Sequence, residues 1–165
     1  LARAASGAAR RGADVISRLL AFARKQTLEP AAIDLHELGA SLGTLLTSSL
    51  GEAVKVTTRI SEPLSPAFAD QGHLQNALLN LAVNAADAMP QGGKLEIEMA
   101  DVRLDGARLA GNEVARPGDF VMIAVSDTGS GIAAELMDRI FDPFFTTKGM
   151  ATNSGLGMSM VQGFV

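Results

Sequence analysis

The 165-residue chain contains no cysteine, no tryptophan and no tyrosine. Without cysteine there is no disulfide, no thiolate ligand for zinc or an iron–sulfur cluster, and no thiol nucleophile. Aromatic residues make up only 4%, all of them phenylalanine, too few for a base-stacking surface. Long apolar runs are missing too. The longest, Phe120–Val125, falls far short of the roughly 20 residues that cross a bilayer, and no signal-peptide pattern stands at the start. Positive charge is in short supply: Lys plus Arg is 14 against 18 Asp plus Glu, a formal net charge of −4. These counts predict no nucleic-acid partner, no membrane contact and a cytoplasmic setting. The chain opens on Leu1 rather than Met, which suggests a piece of a larger protein.

What is present is a hydrophobic content of 47%, enough for a core. Residues 1–29 repeat apolar or small side chains at Leu1, Ala5, Ala8, Gly12, Val15, Leu19 and Phe22, with arginines on the other faces. This heptad-like pattern predicts a long helix that pairs with a second copy of itself and ends before Pro30. Residues 30–165 then read as an α/β domain. Asp34 opens a leucine-striped helix that Gly51 stops, and Val54–Ile60 alternates as a strand. A short strand falls near Ala67–Ala69, and Asp70 caps a helix running to about Met89. Lys94–Val102 and Phe120–Ser126 are strands, the latter apolar throughout, as for a strand covered on both faces. Residues 103–118 are expected to be a loop. A short helix is expected near Ala133–Ile140, and a last one after a second Gly-rich turn.

Four segments carry chemistry. On the helix after Asp70, Asn76, Asn80, Asn84 and Asp87 share one face. A solvated face explains that line too, yet such faces favour Lys, Glu and Arg, whereas carboxamides offer neutral ligands beside a metal-bound polyphosphate. Asp127-Thr128-Gly129-Ser130-Gly131-Ile132 follows a strand, placing a carboxylate at a tight turn with glycines that admit a planar ligand. An N-capping Asp in a plain link is the simpler alternative. Gly129, Gly131 and Ala134 also imitate a dinucleotide fingerprint, but no acid-terminated strand follows at the required distance. Phe141-Asp142-Pro143-Phe144-Phe145-Thr146-Thr147-Lys148 combines an apolar anchor with a lysine suited to phosphate, although core packing alone explains the phenylalanines. Ser154-Gly155-Leu156-Gly157 opens a helix whose N–H groups suit an anion.

In this order the four segments resemble the N, G1, F and G2 boxes of the ATP-binding catalytic domain of bacterial sensor histidine kinases. That domain belongs to the wider superfamily sharing the Bergerat fold. Residues 10–30 resemble the second helix of the same family's dimerisation and phosphotransfer domain. The resemblance implies an α+β two-layer sandwich, a mixed sheet with helices on one face, preceded by a long dimerisation helix. It implies ATP and Mg²⁺ as ligands, with Asn84 on the metal and Asn80 and Asp87 lining the same site. Asp127 accepts from the adenine amino group in this scheme, with Gly129, Gly131 and Ile132 shaping the purine pocket. Phe141, Thr147 and Lys148 belong to the lid, and Ser154, Gly155, Leu156 and Gly157 hold phosphate through backbone amides. No catalytic residue is assigned.

Asn80 stands where gyrase-like members carry the Glu that activates water, so transfer to a protein acceptor is favoured over hydrolysis. The phosphoacceptor histidine lies on a helix that these residues do not include. His36 and His73 lack the flanking pattern and are read as surface residues. Asn153 replaces the glycine usual in the family, and the family adds two strands after the last helix. The chain is therefore read as the catalytic region of an ATP-dependent histidine kinase that dimerises and passes the phosphoryl group to a response regulator. This segment is not expected to autophosphorylate alone. The alternative is a non-catalytic nucleotide-binding or dimerisation module, a degenerate kinase.

Overall fold

Asp34 caps a helix: its Oδ1 accepts from the backbone N–H groups of His36 (2.8 Å) and Glu37 (3.3 Å). The helix it starts, α1 (Leu35–Leu50), turns Leu35, Leu38, Leu42 and Leu46 inward, all of them fully covered. The computed structural model describes residues 28–105, 116–147 and 155–164. The predicted dimerisation helix over residues 1–29 lies almost wholly outside them, as do Lys148 and Ser154. The chain divides into two compact units, one spanning Glu29–Ile132 and the other including Ala133–Val165.

In the first unit, β1 (Ala31–Ile33) pairs antiparallel with β3 (Ala67–Ala69). The larger sheet has the order β2-β4-β5, formed by Val54–Ile60, Gly93–Leu104 and Gly118–Asp127. β2 runs parallel to β4, from Val54 opposite Gly93 to Ile60 opposite Met99. β4 runs antiparallel to β5, from Leu95 opposite Asp127 to Leu104 opposite Gly118. The parallel pair needs a crossover, and the chain supplies it through β3 and α2 (Gln71–Ala88). Leu95, Ile97 and Met99 alternate inward from β4 and are completely buried, while Glu98 points out. This is the expected two-layer arrangement, a mixed sheet with α1 and α2 packed against it.

Three expectations are corrected. The loop expected over 103–118 is shorter, because β4 reaches Leu104 and β5 begins at Gly118. The added pairs carry a cross-strand contact between Arg103 and Asp119 at 3.6 Å. β5 is not covered on both faces: Phe120 is 41% exposed, and β5 is an edge strand of the described sheet. Its apolar run therefore reflects β propensity as much as burial. The short helix expected near Ala133–Ile140 is a single 3-10 turn, Ala134–Leu136, with no side-chain cap on its first residue. Strand β1 was not anticipated at all, since three residues are too few to show a period.

The second unit contains that 3-10 turn, the Phe-rich segment and α3 (Gly157–Phe164). Arg139 lies over the Phe145 ring, 4.6 Å from its centre. Phe144 is left-handed, with φ of 67°, a strained state for a bulky residue.

Candidate functional site

The polar line of α2 is separated from its apolar line by rotation about one helix. Leu74, Ala77, Leu78, Ala82 and Ala85 are buried, whereas Asn80 and Asn84 are half-exposed and Asn76 and Asp87 are exposed. The Asn80 and Asn84 carboxamides make no hydrogen bond among the described residues. Asp87 does have a partner. Two half-covered carboxamides one helical turn apart, without internal partners, leave their oxygens available to an outside ligand.

The helix is held at its start by Asp70. Its Oδ1 accepts from the His73 backbone N–H and faces His73 Nδ1, both at 2.9 Å, and its Oδ2 accepts from the Glu29 N–H at 3.1 Å. Those donors, led by the His73 backbone N–H and the His73 ring, hold the Asp70 carboxyl well below the usual carboxylate range. His36 is exposed, as read from the sequence, whereas His73, at the helix start as expected, is half-buried and paired with its own cap.

Asp127 ends β5 with its side chain exposed, and its Oδ1 accepts from the Gly129 N–H at 2.8 Å. The turn that follows is anchored on the end of α2, where the Ser130 N–H donates to the Ala88 carbonyl at 3.1 Å. A Cβ on Gly129 would sit 2.7 Å from both the Cβ and the oxygen of Ala88. Glycine is thus demanded there by contact with α2. Gly131 has φ of 70° and open space around it, so its requirement is conformational. Ile132, beside it, is exposed. The Asp127 turn and the Asn84 helix are in this way fixed to one another through Ala88, one turn beyond Asn84.

In the second unit, Gly155 has φ of 66°, and a Cβ on it would lie 2.7 Å from the Phe144 oxygen. The Phe-rich segment and the second glycine turn are therefore in backbone contact. Phe141 is half-buried and Thr147 exposed. Leu156 is completely buried. Its carbonyl accepts from the Met160 N–H at 3.0 Å, and α3 begins at Gly157, whose N–H lies in the first turn. The dinucleotide reading of Gly129, Gly131 and Ala134 fails here as well, because β5 is antiparallel to its neighbour and leads into no α-helix. An open groove of about 680 Å³ between α1 and β2, lined by His36, Gly43 and Val56 among others, includes none of the predicted site residues.

Residues 69–165 match the family described as histidine kinase-, DNA gyrase B- and HSP90-like ATPase. The chain belongs to this family. Within the family its similarity is to sensor kinases. It is 40% identical over 158 residues to the sensor kinase CckA of Brucella abortus, covering 95% of this chain and 17% of that protein. It is 32% identical over 152 residues to the sensor histidine kinase ZraS of Escherichia coli, covering 92% of this chain and 29% of that one. Among solved structures, full-length ShkA in complex with AMPPNP superposes with a TM-score of 0.70 at 27% identity, over 90% of this chain and 29% of ShkA. The nucleotide-free catalytic domain of the histidine kinase ThkA gives 0.60 at 26%, over 82% of this chain and 79% of that domain. The chain thus corresponds to the histidine kinase catalytic domain and spans well under half the length of these curated sensor kinases.

Proposed function

We propose that this family member binds Mg-ATP and serves as the catalytic region of a sensor histidine kinase. It delivers the γ-phosphoryl group to a histidine outside these residues, for relay to a response-regulator aspartate. The observation carrying this reading is the junction at Ala88, which ties the Asp127 turn to the helix bearing Asn80 and Asn84. An adenine-directed carboxylate and neutral polyphosphate-side ligands then come from two elements that cannot drift apart.

Each residue has a task in this scheme. Asp127 accepts from the adenine amino group, with Gly129, Gly131 and Ile132 around the ring. Asn84 would hold the metal ion, with Asn80 and Asp87 lining the nucleotide site beside it. The donor set fits Mg²⁺, because the carboxamide oxygens are hard, neutral and without partners among the described residues, and Mg²⁺ takes most of its ligands from phosphate and water. The ion supplies neutralisation of the charge on the β- and γ-phosphates. Gly155, Leu156 and Gly157 present backbone N–H groups to phosphate, joined by Ser154 and Lys148, with Phe141 and Thr147 in the lid. In the transfer the bond from the γ-phosphorus to the bridging oxygen breaks, a bond to an imidazole nitrogen forms, and ADP leaves. Asn80 cannot take a proton from water, which keeps hydrolysis slow.

The domain plan is part of the proposal: residues 1–29 form the second helix of a dimerisation and phosphotransfer domain, and residues 30–165 the catalytic domain. A cytoplasmic location and a homodimer follow from it. ThkA is known in complex with the response regulator TrrA, which supports such a regulator as the partner here. No helix among the described residues is long and apolar enough to cross a membrane. The test is calorimetric titration of ATP with and without Mg²⁺, followed by incubation of labelled ATP with a supplied phosphoacceptor domain. Label on the acceptor histidine is expected. Free phosphate without transfer would indicate an ATPase, and binding without either product a signalling module.

A further inference from the structure

We infer that Thr128 is a positioning residue that aims the Asp127 carboxylate and so sets which purine the site prefers. This rests on the reading of Asp127 as the adenine partner. The last pair of the β4–β5 ladder is Leu95 opposite Asp127. One residue further on, the Thr128 N–H donates to the Lys94 carbonyl at 3.2 Å, and the Lys94 N–H donates to Thr128 Oγ1 at 3.0 Å. A side-chain hydroxyl thus takes the place of a strand carbonyl and prolongs the pairing past the carboxylate. The same hydroxyl faces Met89 Sδ at 3.6 Å, and Met89 is the buried residue that ends α2. Gly93 leaves room for this arrangement, since a Cβ there would lie 2.7 Å from Thr128 Oγ1.

Asp127 is therefore restrained from both sides. Ahead of it runs the ladder, and behind it Thr128 fastens the chain to the start of β4 while Gly129 and Ser130 rest on Ala88. Of these restraints the Lys94–Thr128 Oγ1 bond is the one made by a side chain that can be changed without altering the backbone. Valine keeps the β-branched shape against Met89 and removes the hydroxyl, and with it both the acceptor for the Lys94 N–H and the donor to Met89 Sδ. Thr128 is exposed, so water can take over the Lys94 N–H, and the expected loss is direction rather than folding.

Direction is measurable because of the chemistry of the ligand. A carboxylate accepts from the 6-amino group of adenine but meets the 6-oxo group of hypoxanthine lone pair to lone pair. The ratio of ATP to ITP affinity consequently reports where the carboxylate points, and it does not change when a variant merely lowers the folded fraction. The experiment is calorimetric titration of ATP and of ITP, each with Mg²⁺, into the wild-type chain and into Thr128→Val, Thr128→Ser and Asp127→Asn. The wild type is expected to prefer ATP. Thr128→Val should reduce that preference by about three- to ten-fold, the range expected for one hydrogen bond, and Thr128→Ser should keep it within about two-fold. An unchanged ratio in Thr128→Val overturns the positioning role, even where both affinities fall together. A wild type without preference, or one whose preference survives Asp127→Asn, overturns the adenine reading and this inference with it.

Discussion

At the scale of single residues, the two key side chains make separable predictions. Asp127→Asn turns an acceptor toward a donor–acceptor mixture facing the adenine amino group, and ATP affinity is expected to fall by about 1–3 kcal/mol in calorimetry. Undiminished affinity would remove Asp127 from the purine. Asn84→Ala deletes an oxygen that has no hydrogen-bond partner among the described residues, so little stability is at stake. The expected change lies in the Mg²⁺ titration: binding of ATP becomes less dependent on the ion, whereas binding of nucleotide without Mg²⁺ is nearly unaffected. The place of each residue in the fold was legible in the sequence, Asn84 on a polar helix face from helical spacing and Asp127 at a strand end from the alternating glycines after it, whereas their roles come from the family resemblance. The cause of the glycines was less legible. Gly129 is imposed by Ala88, some forty positions earlier, and a one-dimensional pattern carries no trace of which surface a missing Cβ must clear.

At the scale of elements, α2 depends on what happens at its two ends. Its far end is closed by the Ala88 junction. Gly129→Ala is expected to force that junction open, lowering the melting temperature and ATP affinity together, in contrast to Thr128→Val. The near end depends on Asp70, which serves the His73 backbone, the His73 ring and the Glu29 backbone at once. Because the folded state holds its carboxyl below the ordinary value of 3.8, Asp70 contributes stability that is fully present above that value. The contribution is lost as pH falls from about 4 toward the folded-state pKa. Asp70→Ala should accordingly melt below wild type at neutral pH, and the two melting curves should converge in acid. A gap that stays constant from pH 7 to pH 2.5 would show that the carboxylate charge has no part in the cap. The capping role was visible in advance, since Asp before an amphipathic run is a strong start signal. The bond to Glu29 was not, because nothing local announces a partner 41 positions away.

At the scale of the whole molecule, the alternation of Leu95, Ile97 and Met99 and the leucine stripe of α1 sufficed to foresee an α/β domain with those side chains inward, and the family resemblance added its two layers. Their periods of two and 3.6 survive unchanged in the fold. Strand order did not follow from them. The burial of β5 was misread because Phe120–Val125 carries no alternation to distinguish a central strand from an outer one. Ligand binding offers a measurement at this same scale. A nucleotide that binds the folded chain and not the unfolded one stabilises it by mass action, by about 2.7 kcal/mol at a hundred times the dissociation constant. For a chain of this length that corresponds to an increase in melting temperature of roughly 5–10 °C. ATP with Mg²⁺ is expected to produce it and ITP at the same concentration to produce less. Chelating the ion with EDTA should remove most of the gain in the wild type and little in Asn84→Ala, where the ion has already lost its protein ligand. If EDTA costs both proteins the same number of degrees, the ion is held by the nucleotide alone and the α2 carboxamides face solvent for another reason.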